Sequence, residues 1–60
     1  MLTKHGTEYE YRWASEAGAH TMPHPEELLY FGYEPVTRAG VLVRDPRYPH
    51  SLLMRRAVGP

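Results

Sequence analysis

Glu8-Tyr9-Glu10-Tyr11-Arg12-Trp13 alternates charged and aromatic positions without a break. A period of two puts the three rings on one face of a strand and the three charges on the other. Aromatic side chains suit such half-buried surfaces, so a strand is predicted here. Residues 14–25 show no period and carry Gly18, Pro23 and Pro25. They predict a loop, and a long one for a chain of this size. The pattern then turns helical: Leu28 and Phe31 stand three apart on one face, with Leu29 beside them. Pro25 suits the first helical position. Glu26 and Glu27 sit where the helix dipole favours negative charge, and Gly32 offers a left-handed residue to end the helix. Two turns do not hold alone in water, so this helix must dock on the sheet.

Tyr33–Thr37 predicts a further strand, which Pro35 confines to an edge or a strand start. Arg38-Ala39-Gly40 reads as a turn and Val41–Arg44 as a strand, the pair forming a hairpin. Asp45-Pro46-Arg47-Tyr48-Pro49-His50 is a turn-rich connector, Ser51–Arg56 a last strand, and residues 57–60 a tail. The expectation is a single small domain, residues 1–60, of the α+β class. Its order is β-α-β-β-β, with one short helix on a small, mostly antiparallel sheet.

Composition sharpens this picture. Leu, Val and Phe contribute 11 of the 60 residues and Ile none, so aliphatic bulk is scarce. Tyr9, Tyr11 and Trp13 are therefore expected to fill the interior, since aromatics bury the most area per residue. A chain this short hides only about 60% of its unfolded surface, which disfavours a self-sufficient enzyme and favours a part that docks on something larger. There is no Cys, hence no disulfide staple and no thiolate metal site. No apolar run reaches the roughly 20 residues of a membrane helix, and the first residues lack the apolar core of a secretory signal. No membrane role is expected.

The seven basic and seven acidic residues cancel, but not evenly. Residues 1–30 carry a net −3 and residues 31–60 a net +3. The expectation is that the halves pair within one molecule.

Candidate chemistry is sparse. His5, His20, His24 and His50 invite a metal reading, and His20 and His24 have the i, i+4 spacing that converges on zinc when helical. Pro23 between them argues against a helix, and a carboxylate such as Glu16 would have to complete the set. Ordinary loop histidines are expected, with no metal and no cofactor. Ser15, Ser51, Asp45 and the histidines form no recognisable nucleophile arrangement, and no glycine-rich phosphate cradle occurs. No catalytic residues are assigned. Single-stranded nucleic acid could stack on Tyr9, Tyr11 and Trp13; zero net charge and the neighbouring Glu8 and Glu10 argue against it. The loop around His20, Met22 and Pro23 is nearly uncharged and stiffened by proline, so it can lie along a protein at low entropic cost. Arg47 and Tyr48 are interface-anchor types on a loop of similar character. Those five residues, with Arg55 and Arg56 of the last strand, are the candidate contacts to a protein partner.

Three blocks, Tyr11-Arg12-Trp13, Gly32-Tyr33-Glu34-Pro35-Val36 and Leu53-Met54-Arg55-Arg56, resemble small accessory proteins encoded by tailed bacteriophages. That resemblance implies a virion context, with the chain made in the host cytoplasm. It implies a structural role such as decorating or cementing a capsid, a large homo-oligomeric partner on which many copies gain avidity. A small phage regulatory protein that binds a host protein is the alternative.

Overall fold

The computed structural model describes residues 8–18 and 21–59. Its elements are β1 (Tyr9–Ser15), α1 (Pro25–Tyr30), β2 (Glu34–Pro35), β3 (Thr37–Arg38), β4 (Val41–Leu42) and β5 (Ser51–Ala57). β1, β5 and β2 form an antiparallel sheet in that order, and β3 and β4 form a separate hairpin. The fold is α+β, one short helix with small antiparallel sheets. The expected 33–37 strand is divided in two. Val36 donates to the Leu53 carbonyl and accepts from the Val43 N–H, so the chain changes pairing partner there, one residue after Pro35. Pro35 lies on an edge strand, where a missing N–H costs no ladder bond.

β5 is the central strand and the spine of the domain. It runs antiparallel to β1 from Tyr9 opposite Ala57 to Ser15 opposite Ser51. Val58 extends the pairing by donating to the Glu8 carbonyl, so the expected tail begins later than residue 57. The three sequence blocks quoted above fall on these three paired strands.

Helix α1 starts and stops by local chemistry. His24 is the N-cap; its Nδ1 accepts from the Glu26 N–H at 3.2 Å, and Pro25 follows at the first position. At the other end Gly32 has φ +93°. The Gly32 N–H donates to the Leu29 carbonyl at 3.0 Å and the Tyr33 N–H to the Leu28 carbonyl at 2.9 Å. This is the paired closure of a Schellman motif, accompanied by burial of both Leu28 and Tyr33.

The core consists of Ala14, Leu28, Tyr33, Leu52 and Met54. Opposite pairing of Ala14 with Leu52 and Arg12 with Met54 puts these residues on the face that α1 covers. Tyr9, Tyr11 and Trp13 therefore occupy the other face, and the expectation that they form the core is corrected. Tyr11 is 54% exposed and Trp13 38%. Strand periodicity separates the two faces but does not say which one the helix covers. The expected helix face is corrected too. Leu28 is buried, whereas Phe31 is exposed. Phe31 is the C-cap, with φ −95°, so it has left the helical geometry that would align it with Leu28.

The β3–β4 hairpin turns through Ala39 (φ 53°) and Gly40 (φ 79°). Two left-handed central residues make a type I′ connection, which matches strand twist but penalises a side chain with a Cβ. Ala39→Gly is expected to stabilise the domain by roughly 1 kcal/mol, since left-handed backbone costs an L-residue about that much. A lower melting temperature than the parent would contradict this turn geometry.

Candidate protein-docking face

The helix-free face of the sheet is built from odd-numbered positions of β1 and β5: Tyr9, Tyr11, Trp13 and Ser15 beside Ala57, Arg55, Leu53 and Ser51. The Arg55 guanidinium lies 4.1 Å from the Tyr9 ring centre and is 2.8 Å from Glu34 Oε2. Hydrogen bonding to Glu34 raises the Arg55 pKa further. Arg55 is thus held against the face by two intramolecular partners.

At one end of this face lies a groove of about 250 Å³, lined by Ser15, Ala17, Met22, Tyr48 and the residues around them. Both proline-bearing loops meet here. The first is tied down where the Ser15 N–H donates to the Pro23 carbonyl at 2.9 Å. The second is shaped by Asp45 and Pro46 at the first two positions of a turn. The Tyr48 N–H donates to the Asp45 carbonyl and the Arg47 N–H to Asp45 Oδ1, each at 2.9 Å. Arg44 then clamps the loop to the end of β1: its Nη1 donates to Glu16 Oε1 at 2.9 Å and to the Pro49 carbonyl at 3.0 Å. Ser15 and Ser51, buried beneath, accept from the N–H groups of Ala17 and Asp45. The groove is small and open, fit to take a side chain rather than enclose a substrate. A second hollow of about 290 Å³ along β4 is lined by the single stretch 38–44, and no two loops converge there.

Met22, Arg47 and Tyr48 of the expected contact residues meet in this groove; Pro23 does not line it and is bound through its carbonyl to the Ser15 N–H. Tyr48 is 59% exposed. Arg47 is largely exposed, with a 3.7 Å approach to Asp45 and its guanidinium 5.9 Å from the Tyr48 ring centre. Arg55 and Arg56 do not join them. Arg56 projects from the helix-covered face, where it pairs with Glu10 Oε2 and donates to the Phe31 carbonyl at 3.0 Å. Its guanidinium also lies 4.7 Å from the centre of the Tyr33 ring. It ties β1, β5 and the end of α1 together. His20, like His5, lies outside the described residues. His24 serves as the helix cap, and no three His, Asp or Glu side chains converge among the described residues. The exposed helix-free face is the feature that sequence reasoning assigned to the interior.

No family model matches the chain, and no curated protein or solved structure matches it either.

The charge asymmetry resolves as expected: Glu10–Arg56 and Glu16–Arg44 join the acidic first half to the basic second half. Hydrogen bonds from Tyr33 and then Arg56 hold the Glu10 carboxyl below its ordinary value, and the bond from Arg44 does the same for Glu16. Both pKa values are lower folded than unfolded. Their contribution is therefore fully present above about pH 4.5 and lost as pH falls through the depressed values. The melting temperature is expected to be level from neutral pH down to about pH 5 and to drop below that. Glu16→Gln should flatten part of the drop; an unchanged acid limb would remove Glu16 from this account.

Proposed function

We propose that the chain is a small non-enzymatic module that docks on a larger, repeating protein assembly, and that this assembly is a phage virion. The observation that carries the docking reading is the convergence of the two proline-bearing loops on one apolar groove, with Met22 and Tyr48 in its lining and Arg47 at its rim. The groove lies at one end of the face that exposes Tyr11 and Trp13, and exposed apolar surface of this kind marks contact sites. The virion setting rests on the resemblance of the three sequence blocks to tailed-phage accessory proteins. Many weak single contacts would sum to firm attachment on a repeating surface.

Mass spectrometry of purified particles tests the proposal. The chain should be present at many copies per particle. Its presence in infected lysate and absence from particles would overturn the virion reading in favour of a regulator of a host protein. Exposure of Tyr11 and Trp13 favours a second reading, single-stranded nucleic acid stacked on that face. Arg55, the cation beside these rings, is engaged by Glu34 and Tyr9, and the exposed Arg47 stands away from them at the groove. Binding to a poly-dT oligonucleotide that falls steeply with salt would revive that reading.

A further inference from the structure

β1 lies at the edge of its sheet. Glu8 pairs with Val58 and Glu16 with His50 by backbone hydrogen bonds. Antiparallel pairing alternates, so the even residues of β1 direct their N–H and C=O groups to β5. Tyr9, Tyr11, Trp13 and Ser15 direct theirs outward. The Ser15 N–H is closed off by the Pro23 carbonyl. Among the described residues nothing pairs with the outward N–H groups of Tyr9, Tyr11 and Trp13, so this stretch of edge backbone is open with respect to them. Such a stretch is a template for another strand.

The side chains along this edge select its occupant. We propose that two copies of the chain pair through β1, antiparallel, with the two-fold axis between Tyr11 and Tyr11 of the second copy. In that register Tyr9 faces Trp13 of the second copy, and Glu10 faces Arg12 of the second copy, each twice by symmetry. The outward groups of Tyr9, Tyr11 and Trp13 all find partners. A shift by one position of the axis toward Glu10 sets Glu10 against Glu10, and a shift toward Arg12 sets Arg12 against Arg12. Like charges directly opposite are destabilising, whereas opposite charges and aromatic pairs are favourable.

Two details of the side chains fit the same register. Tyr33 and Arg56 both bond Glu10 through Oε2, which leaves Oε1 for a cation from outside. Arg12 is exposed and has no carboxylate partner among the described residues. The dimer would carry one continuous six-stranded sheet with both aromatic faces side by side. This inference stands apart from the docking reading: it concerns the backbone edge of β1 at Tyr9, Tyr11 and Trp13, none of which lines the groove.

Sedimentation equilibrium on the full chain tests it, over roughly 10 μM to 1 mM, where small interfaces associate. The expected mass rises toward twice the 6.9 kDa of the chain. Arg12→Glu should weaken association at least about tenfold with an unchanged far-UV spectrum, because both symmetric pairs become repulsive. A synthetic chain N-methylated at the Tyr11 amide should be monomeric and folded, because that N–H faces away from β5. The chain has no Cys, so oxidation gives a clean register test: Tyr11→Cys should form a covalent dimer and Tyr9→Cys should not. A monomer throughout that range would overturn the proposal. So would a dimer indifferent to Arg12→Glu and to N-methylation. A monomer whose Tyr11 amide resists hydrogen exchange would place the chain's own N-terminal segment on the edge instead.

Discussion

Met54→Ala is expected to lower the melting temperature by at least about 10 °C and to leave the domain partly unfolded at 37 °C. Among the described residues, Met54 and Leu28 are the two large side chains that are fully buried. Met54 sits on the central strand, opposite Arg12 on one side and Pro35 on the other, and shares the core with Leu28 of α1. Truncating a buried Met, Leu or Ile to Ala costs about 2–5 kcal/mol, part of it lost transfer energy and part the cavity left behind. A domain of this length holds roughly 3–9 kcal/mol in total. The loss therefore takes a large share of what exists. Tyr30→Ala is the matched control: the ring is 87% exposed, and its loss should change stability by no more than about 0.5 kcal/mol. The measurement is a thermal melt followed by circular dichroism. If Met54→Ala melted with the parent while Trp13→Ala unfolded the protein, the core would lie on the aromatic face and the assignment of faces would be reversed.

That pairing of variants also marks where the sequence stopped being informative. β1 was legible because six residues alternate strictly, and α1 because Pro25, Glu26, Glu27 and Gly32 each answer a local backbone requirement. Local signals of this kind do not depend on what the element later touches. The hairpin was legible in outline from Ala39-Gly40. Which side of β1 faces α1 was not, because alternation is symmetric: Glu10, Arg12 and Ala14 form as regular a set as Tyr9, Tyr11 and Trp13. Hydrophobicity pointed to the rings. The fold instead buries Ala14, and it carries Glu10 at the rim of the core by giving its carboxylate Tyr33 and Arg56 as partners. Tyr33 and Arg56 lie 23 and 46 residues away from Glu10 in the chain, a tertiary solution with no local signature. The division of 33–37 is similar. Pro35 announced an edge, but the exchange of partners at Val36 depends on where β4 and β5 come to rest. Among the expected contact residues, Arg47 and Tyr48 keep exposed side chains, whereas Arg55 and Arg56 are engaged within the fold. Strand neighbours put carboxylates within hydrogen-bonding reach of Arg55 and Arg56, whereas Arg47 meets Asp45 only at 3.7 Å and the Tyr48 ring at 5.9 Å.

Tyr48→Ser combined with Met22→Ser is expected to reduce attachment to the assembly by about 30-fold or more while leaving the melting temperature within a few degrees of the parent. The two side chains come from separate loops and share one groove, so their removal erases the apolar lining and spares the core on the other side of the sheet. Tyr is among the residues that dominate binding energy when seated in a pocket, and the loss of one such anchor costs about 2 kcal/mol or more. The backbone that shapes the groove is held independently, by the Asp45–Tyr48 turn and the Arg44 clamp, so the variant should fold. Attachment is read as the fraction of tagged chain that sediments with assembled particles, and folding as the melt of the purified variant. Arg55→Gln provides the contrast, since Arg55 is engaged with Glu34 and Tyr9; it should shift stability slightly and attachment little. The opposite ordering, with Arg55→Gln abolishing attachment and the groove variant retaining it, would move the contact from the groove to the centre of the aromatic face.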